Sequence, residues 1–271
     1  MILRNTIDLG YRPKRIVSLV PSQTELLHYL GLDAETIGIT RFCIHPGHWL
    51  KSKTHVGGTK TLDLKKIRQL NPDLVIANSE ENVKEQVESL AADFPVWVTD
   101  VSHLAGALTM IEDIGCLTGK KSIAARLVSQ IKENFNGLNT LPTPIPVSYL
   151  IWRDPYMVAG GGTFINDMLL LCGFVNIHAG KARYPVIEIA SLPVANQHNP
   201  AGCQLLLLSS EPYPFKQKHI DELRQHLPGI KIILVDGDMF SWYGSRLLES
   251  TTYFRQLLDR IKADTGYFIR F

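Results

Sequence analysis

Several clusters in this 271-residue sequence have the residue types of a chemical site. Cys43-Ile44-His45-Pro46-Gly47-His48 carries thiol and imidazole groups, the donors that hold late transition metals. Its C-x-H-x-x-H spacing matches no structural metal motif, so the histidines are read as hydrogen-bonding or site-bordering groups and no metal ligand is assigned. Two stretches, Trp152-Arg153-Asp154-Pro155-Tyr156 and Ser209 to Phe215 with Tyr213 at its centre, combine aromatic and charged side chains in loop-like settings. Arg153 and Arg246 carry guanidinium forks that suit a ligand carboxylate or phosphate; the other reading pairs them with Asp154, Glu211 or Glu249. Ser241-Trp242-Tyr243-Gly244-Ser245 sets two aromatics among small polar residues, as an exposed loop would, the alternative being that both rings are core. Gly160-Gly161-Gly162 before a helix suits either an anion at the helix N-terminus or a tight turn. Gly115 to Ser122 (GCLTGKKS) fails the phosphate-loop spacing, and neither H-E-x-x-H nor G-x-S-x-G occurs, so no catalytic residue is assigned.

These residues must be positioned by alternating strands and helices. Arg15 to Val20 is a β-branched strand, Pro21 and Ser22 a loop, and Thr24 to Leu30 a helix stopped by Gly31. A helix over 63–70 ends before Asn71-Pro72, followed by a strand over 73–77, a helix over 82–92 and a strand over 96–99. Such alternation implies parallel βαβ units, whose ligands sit in loops beyond the strand ends. The plan repeats: Tyr156 to Val158 mirrors the first strand, Thr163 to Cys172 its helix, Leu205 to Leu208 and Ile230 to Val235 the later strands. Between the halves, 104–135 is helical in two pieces, with Ile123, Leu127, Ile131 and Phe135 on one stripe, until Leu141-Pro-Thr-Pro-Ile-Pro146. The expected organisation is an N-terminal α/β lobe (1–117), a connecting helix (118–140) and a C-terminal α/β lobe (141–271).

Composition narrows the functional classes. Hydrophobic residues make up 45% and charged residues 20%, ordinary globular values. The net charge of +2 is spread without basic runs, which disfavours nucleic acid as the main partner. Cys43, Cys116, Cys172 and Cys203 form no C-x-x-C pair and read as buried small hydrophobes. Arg4, Asp8, Arg12, Lys14 and Arg15 interrupt the first 19 residues, leaving no export-signal core, and no segment is long enough to insert into a membrane. The sequence as written is expected to be cytoplasmic, or periplasmic if its N-terminus is trimmed.

Arg15-Ile-Val-Ser-Leu-Val-Pro-Ser-Gln-Thr-Glu25, Ile37-Gly-Ile-Thr40, Val56-Gly-Gly58 and Asn71-Pro-Asp-Leu-Val-Ile76 resemble the helical-backbone (class III) substrate-binding proteins of ABC importers, the receptors for cobalamin, haem and iron–siderophores. The likeness covers nearly the whole chain and is strongest in the first half. It implies two Rossmann-like lobes with parallel sheets, one long rigid backbone helix, and a ligand cleft between the lobes. Phe42 falls where the family's cobalamin receptors place a ligand-contacting tyrosine, and Ser241 to Ser245 on their Asp-Trp-Phe-Glu-Arg ligand segment. Their further pocket tryptophans fall on Thr59, Asn78 and Val186, and their acidic permease contacts on Lys65 and Leu192, with Asp63 and Glu188 nearby.

The resemblance implies a non-catalytic receptor with no intrinsic cofactor and a corrinoid or related metal chelate as ligand. Aromatic faces suit such a large, flat, partly apolar molecule. The expected ligand-binding residues are Pro21, Ser22, Phe42, Arg153, Tyr156, Tyr213, Ser241, Trp242, Tyr243, Gly244, Ser245 and Arg246. Two alternatives stand beside it: a haem or iron–siderophore receptor, marked by free basic residues such as Arg153, and a corrinoid-related enzyme. The expected partner is the chelate, with no nucleic acid and no membrane insertion; an ABC permease is left open, its docking acids being unmatched at Lys65 and Leu192.

Overall fold

The computed structural model describes residues 1–3, 9–141, 143–196 and 198–264; Arg4, Asp8 and Pro142 lie outside them. The chain divides into two compact units, one of residues 1–101, 105–133 and 242–247, the other of 102–104, 134–241 and 248–271.

The first unit is built on β1 (Ile2–Leu3), β2 (Ile16–Ser18), α1 (Pro21–Tyr29), β3 (Thr36–Ile39), α2 (Gly47–Ser52), β4 (Thr54–His55), α3 (Leu64–Leu70), β5 (Leu74–Asn78), α4 (Lys84–Ala91) and β6 (Val96–Thr99). It also takes most of α5 (Leu104–Leu117) and α6 (Lys121–Asn136). Its sheet runs β1-β6-β5-β2-β3-β4, every pair parallel. Both faces of a parallel sheet are covered, which is why β2 and β5 are mostly apolar, closing on Ser18 and Asn78, and are buried throughout. Val17, Leu19, Val56, Ile67, Val75, Val87, Leu90 and Val96 form one core on this sheet. Asp63 caps α3 by accepting the Lys66 N–H, and Asn71, at φ 45°, ends it ahead of Pro72.

Pro21 and Ser22 are not loop residues: Pro21 occupies the first turn of α1, where its missing N–H costs nothing, and Ser22 is buried in the helix. Leu127, Ile131 and Phe135 of α6 are buried as their four-residue spacing requires, whereas Ile123 in its first turn is 40% exposed. Gly115 to Ser122 forms the elbow between α5 and α6 rather than a strand-to-helix loop.

The second unit contains β7 (Ile145–Trp152), β8 (Met157–Val158), α7 (Phe164–Leu171), β9 (Phe174–Asn176), β10 (Leu205–Ser209), α8 (Gln217–His226), β11 (Lys231–Val235), α9 (Gly237–Ser241) and α10 (Leu247–Asp264), whose first residue belongs to the first unit. Its strands run β11-β10-β7, with β9 parallel and β8 antiparallel to β7. The parallel order β11-β10-β7-β9 repeats the β6-β5-β2-β3 order of the first unit, so the chain is an α/β protein of two Rossmann-like units. The strand equivalent to β2 is therefore β7, and the expected match with Tyr156 to Val158 is corrected. Those residues form only the short antiparallel β8 and its approach.

Candidate ligand-binding surfaces at the strand ends

In an open parallel sheet the loops beyond the carboxyl ends of the strands carry function. In the first unit these loops are held from beneath by a buried amide network. Asn82 accepts the Asn78 N–H at 2.9 Å and donates to the carbonyls of Leu19 (3.3 Å) and Thr59 (3.1 Å). Asn78 in turn accepts the backbone N–H groups of Glu80 (2.8 Å) and Glu81 (3.1 Å) and donates to Thr99 Oγ1. This network consumes Thr59 and Asn78, two positions where the resemblance puts pocket tryptophans; Val186, the third, is 57% exposed. It also fixes the loop that presents Glu80 and Glu81. Burial raises the Glu81 carboxyl above its usual range, the neighbouring Glu80 charge adds to this, and Lys60 opposes it.

Beyond β3, Cys43 is buried, with Thr24 Oγ1 donating to its sulfur at 3.0 Å and Thr40 Oγ1 within 3.2 Å; burial raises its thiol. Phe42 projects outward, 50% exposed, beneath the Arg41 guanidinium, which stands 5.3 Å from the ring centroid. A Cβ on Gly58 would come within 3.0 Å of the Phe42 ring, so the ring lies directly on glycine backbone.

The segment expected to be an exposed aromatic loop is different. It is split: Ser241 belongs to the second unit, Trp242 to Ser245 to the first. Trp242 and Tyr243 are each 6% exposed, and Ser245 and Arg246 are equally enclosed. Their partners lie along α1. Arg246 forms a two-pronged ion pair with Glu25, Nε to Oε2 at 3.1 Å and Nη2 to Oε1 at 2.7 Å. Its guanidinium also lies 5.4 Å from the Trp242 ring centroid, and His45 meets Trp242 edge-on at 5.5 Å. Burial pushes the Tyr243 hydroxyl far above the ordinary tyrosine range, and the Glu81 charge adds to this. Gly244, at φ +106°, turns the chain within van der Waals distance of Leu26 and the Ser22 carbonyl. Trp242 and Tyr243 are thus buried rather than carried on an exposed loop, and Arg246 is paired with Glu25.

In the second unit, Arg153 leaves the end of β7 and donates to Glu222 at 2.7 Å, with Asp154 3.8 Å from its Nε. Tyr156 donates to the same Glu222 oxygen at 3.4 Å. The Lys216 N–H donates to His219 Nδ1 at 2.8 Å, which places that ring's proton on Nε2, facing the Tyr213 hydroxyl at 3.3 Å. Burial, followed by the charges of Lys218 and Arg153, holds His219 below its usual range. Tyr213 packs on Phe215 and on Trp152, which is 39% exposed. Ser241 donates to Glu211 and to the Gly237 carbonyl, tying α9 to the loop after β10. Arg153, Tyr156 and Tyr213 come together with Glu222 and His219, which sequence reasoning did not single out.

A cavity of about 330 Å³ in the second unit is lined by His178, Lys181, Val186, Glu188 and Leu192 among others, and burial lowers His178 to a pKa of about 4. The Gly160 to Gly162 turn pairs its backbone with Lys181 and Arg183, and Thr163 caps α7, so this glycine run shapes a turn. Leu192 is 5% exposed and not on the surface; Lys65 is exposed, and Asp63 is committed to capping α3.

The chain is thus a two-unit α/β protein with charged and aromatic residues at its strand ends, Arg153 and Arg246 among them being paired with Glu222 and Glu25. Residues 16–201 match the periplasmic binding protein family, and the chain belongs to that family. Curated relatives include the vitamin B12-binding proteins of Vibrio campbellii (26% identical over 181 residues, 65% of this chain and 66% of that one) and Vibrio cholerae (24% over 186 residues, 67% of each). The chain thus spans about two thirds of the length of these relatives. Among solved structures, the periplasmic vitamin B12 binding protein of Vibrio cholerae superposes with a TM-score of 0.73 at 18% identity, covering 92% of this chain and 98% of that one. The periplasmic haem-binding protein of Roseiflexus does so with 0.72 at 22%, covering 90% and 98%. These superpositions establish the fold. Among the described residues no helix is long and apolar enough to cross a membrane.

Proposed function

We propose that the protein is a non-catalytic receptor for a corrinoid or closely related metal chelate, taken up without a resident cofactor. The observation that carries this reading is Phe42: a half-exposed ring seated on Gly58 at a strand end, at the position where the resemblance puts a ligand-contacting aromatic. An aromatic face on rigid backbone supplies contact area to a flat macrocycle at little entropic cost. The curated relatives named vitamin B12-binding proteins support the same ligand class. A haem receptor is the second reading, because several structural neighbours are haem-binding proteins. It asks for cations to meet the haem carboxylates, and Arg153 and Arg246 are already engaged by Glu222 and Glu25. Delivery to an importer permease belongs to the same proposal. It has to use surface other than Leu192, which is buried; Glu188 is exposed close by.

The test is an absorbance-difference and tryptophan-fluorescence titration with cobalamin, cobinamide and haem. Saturable binding of a corrinoid is expected, weakened by roughly 1–3 kcal/mol in Phe42→Ala, with unfolding unchanged because the ring is half exposed. Saturation by haem alone would transfer the assignment to the second reading. No response to any of the three would refute both.

A further inference from the structure

His48 was singled out as part of a cysteine–histidine motif, but the fold separates that motif. Cys43 is buried against Thr24 and Thr40, and His45 stacks on Trp242. His48, in the first turn of α2, meets His28, in the last turn of α1, and Asp33, in the turn that follows α1. One ligand atom from each of the three lies within 4.8 Å of the others, with His48 Nε2 3.8 Å from Asp33 Oδ1. The two imidazole rings stand edge to face at 5.3 Å.

We infer that His28, Asp33 and His48 form a binding site for a divalent late transition cation of the zinc, nickel or copper type. Two imidazoles and a carboxylate are the donor set these ions prefer, and three protein ligands leave a position for water. Ligand atoms around zinc, at about 2.0–2.2 Å from the ion, stand ~3.3 Å apart, so these groups close on an ion through small side-chain rotations. His48 and Asp33 are 64% and 57% exposed at their side chains, which leaves them free to make that adjustment.

The surroundings supply support of the kind metal ligands have. The Trp49 indole N–H, fully buried, donates to Asp33 Oδ1 at 2.7 Å and orients the carboxylate, which still offers its other oxygen. The Trp49 ring also braces His28 edge-on at 5.3 Å. Two lysines near the site are drawn to backbone: the Lys53 ammonium donates to the Asp33 carbonyl and lies 4.9 Å from the Trp49 ring centroid, and Lys120 donates to the Gly31 carbonyl at 3.3 Å. The C-terminal end of α1, where His28 sits, favours positive charge through the helix dipole. The site lies about 10 Å along α1 from Pro21, so it is distinct from the strand-end loops.

The experiment is calorimetric titration of tag-free protein with Zn²⁺ alone, together with the visible absorption of the Co²⁺-substituted form. One equivalent of zinc and a cobalt spectrum with nitrogen coordination are expected. His28→Ala and His48→Ala should each weaken zinc binding at least ~10-fold, while His226→Ala, a remote exposed histidine, leaves it unchanged. Circular dichroism checks folding; His48→Ala is the deciding variant because its exposed ring supports no core. Failure of the wild type to take up zinc, or uptake undiminished in His48→Ala, would overturn the assignment. The probes are bare Zn²⁺ and Co²⁺ ions, so this result is independent of the corrinoid titration.

Discussion

Replacing Arg246 by methionine tests whether the returning segment is structural. The substitution keeps most of the side-chain volume but leaves Glu25, whose side chain is 16% exposed, without its partner. Removing one member of a buried ion pair costs roughly 3–5 kcal/mol, and the residual access of water to Glu25 places this pair near the lower figure. Loss of the guanidinium over Trp242 adds about 0.5–1 kcal/mol. The expected total is ~3–4 kcal/mol, which for a chain of this length lowers the melting temperature by roughly 6–16 °C. Thermal denaturation followed by circular dichroism reads the global effect, and amide hydrogen exchange across 242–247 reads whether the segment leaves α1. The double variant Glu25→Gln/Arg246→Met removes the stranded charge and should regain part of the loss. A single variant within ~0.5 kcal/mol of the parent, or a double variant no better than the single, would refute the reasoning.

Asn82→Ala removes three hydrogen bonds and leaves the Asn78 N–H and two carbonyls unanswered. A loss of roughly 2–4 kcal/mol is expected in urea unfolding, with faster exchange across 79–83. His178 has a folded pKa of about 4 against an ordinary 6.5, so between these values the unfolded chain binds the proton and the folded one does not. Stability is therefore fully present above about pH 6.5 and is lost as the pH falls toward 4; His178→Gln should flatten that part of a stability-versus-pH curve. An unchanged slope in the variant would show that His178 does not cause it.

In the first unit β2, α1, α3, β5, α4 and β6 were legible because local rules decide them: the β-branched run at Ile16 to Val17, the Asp63 cap and the Asn71-Pro72 stop. β7 was hidden because its first residues are Ile145-Pro146 at the end of a proline-rich stretch. Pro146 has no N–H to give the sheet, yet its carbonyl still accepts from Gln204 at 2.9 Å. The site was legible only where it is local. Arg153, Tyr156 and Tyr213 lie close together in loops whose composition marks them, whereas Glu222 and His219 reach them from α8. The glycine and serines around Trp242 read as an exposed loop, but what buries that ring is a pairing between residues 221 positions apart, which no local pattern carries. His28 and His48 were likewise twenty residues apart, and only the return of α2 beside the end of α1 joins them.

That long-range pairing also orders events during synthesis. The chain completes the sheet of its first unit by residue 99, but the residues that cover Ser22, Glu25 and Leu26 are not translated until 242–247. At about 5–20 residues per second, the nascent α1 waits roughly 10–45 s before Arg246 can meet Glu25 and the face around Ser22 and Leu26 is covered. The first unit is therefore a late-finishing body despite standing first in the chain. A nascent chain arrested near residue 140 should expose that face to a chaperone or a protease, and release of the last thirty residues should close it.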